Sequence, residues 1–263
     1  MSKIAVEQAT IERKKELGNS YFAFEISPFS KVKTIKPGQF VHLKIPHADI
    51  YFRRAFSVYD VYPQKKTVEI IFKVFGRGTA LLSRRHPGDM LDILGPLGNS
   101  FAFPANKETA LLVAGGIGMP PIYFLAKELV AKKRDKSKVI FFYGGNSRAD
   151  LVELARIRRL GIRVVTATED GSLGFKGLVT KALAKEIDGL HGKLRIYACG
   201  PEGMLKAVDR LALERTIPGQ LSLEAPMPCG IGICLGCILP LTAGGYTRVC
   251  REGPVYNVGE VRL

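Results

Sequence analysis

The chain has 263 residues, 46% hydrophobic and 24% charged, an ordinary globular balance whose length allows one large domain or two smaller ones. Thirty-nine Lys and Arg against 24 Asp and Glu give a net charge of +15. The basic residues are scattered, as "ERKK" at 12–15, "KKRDKSK" at 132–138 and "RIRR" at 156–159, with no basic tail and no aromatic-interleaved stripe, so they fit solvated surfaces and phosphate-bearing ligands better than nucleic acid. No run of 18 uncharged apolar residues is present and the first fifteen residues lack an apolar h-region. A cytoplasmic protein with reduced thiols is therefore expected, one in which clustered cysteines hold metal rather than form disulfides.

In chain order, the first hundred residues read as strands. "YFAFEI" (21–26), "QFVHLKI" (39–45), "AFSVYDV" (55–61) and "VEIIFKVF" (68–75) are short, rich in β-branched or aromatic residues, and separated by turn formers such as "KPGQ" and "HPGD". This spacing predicts a small antiparallel barrel. Near residue 108 the pattern changes. "TALLVAGG", "KVIFFYGG", "IRVVTATE" and "LRIYACG" read as buried parallel strands. They alternate with helices over "PPIYFLAKELVAKK", "ADLVELARIRRL", "GLVTKALAKEI" and "EGMLKAVDRLAL", the first with proline at its start and Ile122, Leu125 and Leu129 on one face. Such alternation predicts a doubly wound parallel sheet. The last forty residues follow neither pattern and are rich in glycine and cysteine. The expected division is a β-barrel domain at 1–104, an α/β nucleotide domain at 105–220 and a small cysteine module at 221–263.

Four motifs in these parts suggest ligand chemistry. "GGIGMPP" (115–121) joins the first parallel strand to its helix, where glycines admit a pyrophosphate and the helix N-terminus offers free N–H groups, although it is not G-x-G-x-x-G and also reads as a plain tight turn. "YACGPEGML" (197–205) ends another strand at Cys199-Gly200-Pro201, on the carboxyl edge where open α/β sheets bind ligands; Cys199 also reads as a small buried hydrophobe. In "RRAFS" (53–57) the arginine fork suits a phosphate, Phe56 can face an aromatic ring and the Ser57 hydroxyl can bond a ring nitrogen, against the alternative of an edge strand with exposed arginines. "GRGTALLS" (76–83) places Gly76 and Gly78 before Thr79 and a short helix, as an anion nest would.

The cysteines give the most specific signal. Cys229, Cys234, Cys237 and Cys250 are spaced C-x4-C-x2-C-x12-C, and the first three match the opening of the plant-type [2Fe–2S] pattern. Four thiolates must reach two irons from one loop. Gly230, Gly232 and Gly236 remove side chains there, allow positive φ and let N–H groups point at sulfur. A structural zinc would more often show two close Cys pairs, and here only one exists. Cys199 stands too far along the chain to be read as a fifth ligand.

Taken together, "RRAFS", "GRGTALLS", "LDILGPLGNSF", "GGIGMPP", "TEDGSLGFKGLVT", "YACGPEGML" and "SLEAPMPCGIGICLGC…RVCREGPVY" resemble, nearly end to end, the electron-transfer subunits of NAD-dependent (class 1B) dihydroorotate dehydrogenase, within the ferredoxin–NADP reductase superfamily. The resemblance implies FAD and phosphate contacts from Arg54, Ala55, Phe56 and Ser57, from Ile71, Phe72 and Lys73, and from Gly78 and Thr79. It implies a [2Fe–2S] cluster on Cys229, Cys234, Cys237 and Cys250, and NAD, the electron acceptor, near Gly115, Gly116, Gly118, Cys199 and Gly200. No residue is assigned a catalytic role. The resemblance further implies an FMN-containing catalytic partner that oxidises dihydroorotate in pyrimidine biosynthesis, in a heterotetramer of two plus two. Two positions depart from the family pattern: Ala55, where proline is frequent, and Ser100, where glycine is usual. Arg148 follows the second parallel strand, where the 2′-phosphate of NADP would sit, which leaves NAD against NADP open.

Two other readings compete. One is a flavin and iron–sulfur subunit of another NAD(P)H oxidoreductase, such as a bifurcating ferredoxin:NADP oxidoreductase, a sulfide dehydrogenase or a hydrogenase. In the small bifurcating subunits aspartate tends to replace the first cluster cysteine, and Cys229 argues against that. The other is a zinc-bearing interaction module on a disused reductase scaffold.

Overall fold

The computed structural model describes residues 4–48, 50–105, 107–132 and 135–263. Lys133, the end of the first expected helix, and Arg134, within the basic run at 132–138, lie outside the described residues.

Six strands form the first part: β1 (Ala5–Gly18), β2 (Tyr21–Ser27), β3 (Phe40–Lys44), β4 (Arg54–Tyr62), β5 (Thr67–Lys73) and, after the short helix α1 (Arg77–Ser83), β6 (Met90–Leu97). They close as an antiparallel barrel in the order β1-β2-β5-β4-β3-β6. Closure pairs every backbone edge, and the interior is filled by Phe24, Ile26, Val41, Leu43, Val58, Val68, Ile70 and Ile93. The long β1 is absent from the strands read in the sequence. Its sides are mostly charged, and only Ala9 and Ile11 are buried, so no apolar alternation marks it.

The second part runs β7 (Thr109–Gly115), α2 (Met119–Ala131), β8 (Val139–Gly145), α3 (Leu154–Arg158), β9 (Arg163–Thr168), β10 (Phe175–Lys176), α4 (Val179–Ile187), β11 (Leu194–Cys199), α5 (Glu202–Glu214) and β12 (Gly219–Ser222). The third adds the hairpin β13 (Ile238–Pro240) and β14 (Tyr246–Arg248), then β15 (Val255–Asn257). The sheet order is β10-β9-β8-β7-β11-β12-β15, parallel except for the last pairing, which is antiparallel. Both faces are covered, and the period of two is visible in the burial. Leu111, Val113, Ile140, Phe142 and Ile196 pack on one side, while Leu112, Phe141, Tyr143 and Tyr197 pack on the other. This is the doubly wound sheet that the apolar runs predict.

The helix expected over 149–160 is shorter. A 3₁₀ turn at Arg148–Asp150 is followed by Glu153 with φ +56°, and the helix begins only at Leu154. The kink brings Arg156 over the barrel. Its guanidinium donates to Asp60 (2.5 Å) and Glu69 (2.9 Å) and lies 4.6 Å over the Tyr59 ring. Lys127 of α2 also pairs with Asp60, so the barrel and the sheet are joined through buried charges. No helix among the described residues is long and apolar enough to cross a membrane.

Candidate functional site: two cavities and a cysteine loop

Between the barrel and the carboxyl edge of the sheet lies a cavity of ≈ 430 Å³. Of the barrel residues singled out from sequence, Arg54, Ala55, Phe56 and Ser57 from β4, Ile71, Phe72 and Lys73 from β5, and Thr79 from α1 all line it. Arg53 is tied to Asp92 at 2.7 Å. Arg54 donates to the carbonyls of Phe52 and Arg53 and, among the described residues, has no carboxylate partner. Its fork is thus held in place but not neutralised, as a phosphate ligand requires. Gly78 lies behind Arg54, and a Cβ there would come 3.1 Å from Nε. Thr79 Oγ1 accepts the N–H groups of Phe75 and Gly76, fixing the turn. Phe56 lines the cavity while packing in the barrel core, its ring 5.6 Å from Phe72 at a steep angle.

A second cavity of ≈ 560 Å³ opens over the parallel strand ends and is lined by Gly115 and Gly116. Lys73, Phe75 and Ile117 line both cavities and so form the wall between them. Lys73 is fixed by Asp150 at 3.0 Å and lies 4.7 Å over Tyr21. Gly118 and Gly200 stand behind this wall. A Cβ on Gly118 would fall 2.2 Å from the Cys199 carbonyl oxygen, and one on Gly200 would fall 3.0 Å from Gly115 N, so these glycines let two strand ends touch backbone to backbone. Glu169 and Asp150 line the second cavity, whereas Arg148 does not.

Cys199 sits at the inner end of the first cavity beside Ser222, Leu223 and Glu224. Burial, reinforced by the nearby Glu224 charge, pushes its thiol well above the usual range, although a hydrogen bond from Ser222 opposes this. Glu224 opens onto the cavity, but the surrounding walls strip water from its carboxyl and raise its pKa. The sequence reading had no signal for Glu224, because its meaning depends on the cavity and not on neighbouring residues.

The cysteine loop continues this wall. Ala225 to Pro228 line the first cavity, and Cys229 follows at once. The four loop sulfurs form two pairs. Cys229 lies beside Cys234, with the backbone N–H groups of Cys234, Ile231 and Ile233 turned toward its sulfur. Cys237 and Cys250 stand 3.3 Å apart, Sγ to Sγ, and both are buried. Among the described residues no three His, Cys, Asp or Glu side chains converge as a single-ion site. Thiols set in pairs suit a two-iron group, each iron taking two thiolates. Burial opposes the ionisation of Cys229, but the N–H donors outweigh it and bring its pKa down to about 6; burial and the Cys237 neighbour push Cys250 up to about 12. Gly230 and Gly232 take φ of +71° and +82°, as expected. Gly236 does not: Leu235 is the left-handed residue (φ +59°), and the Gly236 N–H donates to Cys234 Sγ at 3.4 Å.

The loop at 98–101, which carries Ser100, lies beside the cysteine module, Gly98 sharing a cavity lining with Gly230 and Cys250. It packs on the third part. Gly98 (φ +73°) would place a Cβ 2.5 Å from Pro254 Cδ, and Asn99 clasps the backbone of Val255.

A barrel cavity with an unneutralised arginine, a dinucleotide-sized cleft sharing a wall with it, and a thiol-rich loop beside it define an oxidoreductase of the ferredoxin-reductase fold carrying an iron–sulfur module. Family models match in the same order: an oxidoreductase FAD-binding domain over residues 8–101, an oxidoreductase NAD-binding domain over 112–210, and the iron-sulfur cluster binding domain of dihydroorotate dehydrogenase B over 224–262. The electron transfer subunit of dihydroorotate dehydrogenase B (NAD(+)) from Enterococcus faecalis strain V583 is 38% identical over 98% of this chain and 98% of its own length. That from Geobacillus thermodenitrificans is 38% identical over 99% and 100%. A solved structure of an NADH-dependent reduced ferredoxin-NADP oxidoreductase superposes with a TM-score of 0.87 at 29% identity, covering 97% of this chain and 89% of that one. The chain belongs to the family of electron transfer subunits of NAD(+)-linked dihydroorotate dehydrogenase B.

Proposed function

We propose that this chain passes electrons taken from a dihydroorotate-oxidising catalytic subunit to NAD⁺, as the NAD-facing half of a two-subunit dehydrogenase in pyrimidine biosynthesis. The observation that carries this reading is the continuity of the site. The segment from Ala225 to Pro228 lines the barrel cavity, and the next residue is the first loop cysteine. FAD and a [2Fe–2S] cluster, when bound, supply the redox chemistry, with two-electron exchange at the nicotinamide and one-electron exchange at the irons.

The protein's share is to hold and to separate. Arg54, Ser57, Lys73 and Thr79, with Ala55, Phe56, Ile71, Phe72 and Gly78, form the FAD site in this reading. Gly115 and Gly116 line the NAD site in this reading, with Gly118 and Gly200 packed behind them, while Cys199, expected there, opens onto the barrel cavity instead; Cys229, Cys234, Cys237 and Cys250 hold the cluster. Lys73, Phe75 and Ile117 line both cavities, so the two sites would share these residues. The carboxylates of Glu169 and Asp150 in the second cavity favour a free ribose hydroxyl over a 2′-phosphate, which fits NAD.

Around the loop, Ile231, Ile233, Leu235 and Ile238 are exposed, Ile233 by 75%. Exposed apolar side chains beside a redox group suit a docking surface, and we assign this rim to an FMN-bearing catalytic subunit, two copies of each chain forming the complex in the cytoplasm. The division at 1–104, 105–220 and 221–263 follows the same functional lines, although β12 spans the second junction and β15 returns from the third part to its sheet. The test is reconstitution. The chain purified with its partner should reduce NAD⁺ with dihydroorotate, and a chain that carries flavin but reduces NAD⁺ with no such partner under any condition would overturn the reading.

A further inference from the structure

β3 carries one polar residue that the reading above leaves unused. His42 is wholly buried, and neither Nδ1 nor Nε2 has a hydrogen-bond partner. It points out of the barrel beside Phe40 (ring centroids 5.5 Å apart), and Phe40 packs in the same apolar cluster as Cys237 and Cys250. The cysteine loop covers the ring. A Cβ on Gly230 would lie 2.6 Å from Cε1, 2.7 Å from Nδ1 and 3.1 Å from Nε2, so the edge bearing both nitrogens faces the residue next to Cys229. The Gly230 conformation, φ +71° with no side chain, is what allows the loop to lie this close.

A buried imidazole with both nitrogens unmatched is costly, and such groups in a folded protein ordinarily mark a missing partner. The surroundings narrow what that partner is. The nearest charge is Arg53, which is held by Asp92; burial and this cation keep the ring neutral, with a pKa near 4, so it has one N–H to give and one lone pair. His42 does not line the cavity assigned to FAD. What lies across its free edge is Gly230, the residue next to Cys229, and so the loop that carries the sulfurs.

We propose that His42 donates its ring N–H to the iron–sulfur group carried by the cysteine loop, seating the loop on the barrel and making that group easier to reduce. A hydrogen bond to a ligand or bridging sulfur stabilises the added negative charge of the reduced form, one of the main ways a protein sets such a potential. This makes His42 a positioning residue between the barrel and the loop. The proposal rests on the assignment of the four loop cysteines to a cluster, and the experiment separates the two.

The measurement uses the full chain in its anaerobically purified, cofactor-loaded form, with histidine labelled with ¹⁵N. The chain has only four histidines, and His42 is the one under the loop. Pulsed electron paramagnetic resonance of the reduced wild-type protein should show a weak ¹⁵N coupling and an exchangeable proton coupling. Both should vanish in His42→Phe, whose cluster potential should move negative, while His42→Gln, which keeps a donor, should recover part of the shift. If His42→Phe cannot retain iron but His42→Gln can, the donor role is again supported. Absence of histidine coupling in the wild type overturns the proposal whatever the variants do. So does an unchanged cluster potential in His42→Phe, or a potential shift confined to the flavin. A wild-type protein without iron or sulfide would instead refute the cluster assignment itself.

Discussion

Asn99 clasps Val255 through both sides of its amide: Nδ2 donates to the Val255 carbonyl at 2.7 Å, and Oδ1 accepts the Val255 N–H at 2.9 Å. Nδ2 also donates to the Glu252 carbonyl at 2.7 Å. One side chain at the end of the barrel therefore secures the strand that follows the last cluster cysteine, at the point where Gly98 meets Pro254. Asn99→Ala leaves backbone groups unmatched and should destabilise the fold by about 1–3 kcal/mol. Urea unfolding should show the loss, and iron should leave the variant faster than the wild type under a chelator. A variant with unchanged stability and iron release would mean the clasp does not hold the loop.

The paired sulfurs give a sharp contrast. Cys229→Ala, Cys234→Ala, Cys237→Ala and Cys250→Ala should each abolish electron flow from dihydroorotate to NAD⁺ in the reconstituted complex and remove the iron–sulfur spectrum. Cys199→Ala should keep that spectrum, because Cys199 lines the barrel cavity instead of joining the loop pairs. Retention of a full cluster spectrum in Cys234→Ala would refute the ligand assignment.

Arg156 is the counter-ion for two buried carboxylates, Asp60 and Glu69, across the junction of barrel and sheet. Arg156→Met keeps much of the stem but strands the charges, which should cost about 3–5 kcal/mol, toward the lower end because Lys127 stays on Asp60. Replacing Asp60, Glu69 and Arg156 together with apolar residues should restore much of the loss. Denaturant midpoints of the single and triple variants measure both effects.

Glu224 has its folded pKa raised by burial. The stability that goes with its neutral form is fully present below the unfolded pKa and is lost as pH rises through the folded one. In flavin-free protein, Glu224→Gln should therefore match the wild type at acid pH and exceed its Tm increasingly as pH rises toward neutrality. A Tm difference that is flat with pH would mean the carboxyl is not desolvated.

The sequence pattern was most readable where both faces of a strand are buried. "TALLVAG" and "VIFFYGG" could be nothing but inner strands, and both lie at the centre of the sheet. It was least readable where the barrel meets water. β1 buries only Ala9 and Ile11 and carries a run of charged residues at 12–16, because closure of the barrel more than an apolar face keeps it in place. Helix periodicity at 149–160 overran Glu153, whose left-handed backbone serves the Arg156 contact and has no local signature. In the candidate site, residues that stand in motifs were legible: Arg54, Ser57, Lys73 and Thr79 line one cavity, and Cys237 and Cys250 lie together. Those that act only by juxtaposition were not. Glu224 becomes notable beside Cys199, His42 beneath Gly230, and Asn99 against Val255. Each lies far in sequence from what it touches, so no spacing reveals it. Leu235 took the left-handed turn expected of Gly236 because that glycine is used to approach Pro228 and Cys234.

The most direct measurement is the cofactor content of the chain purified anaerobically, by visible and electron paramagnetic resonance spectra together with iron, sulfide and flavin assays. The expected result is about one flavin, two irons and two labile sulfides per chain, with a rhombic signal appearing on reduction. A colourless protein, or one holding a single zinc on the loop and no flavin, would contradict the assignment of this molecule as a relay between a catalytic subunit and NAD⁺.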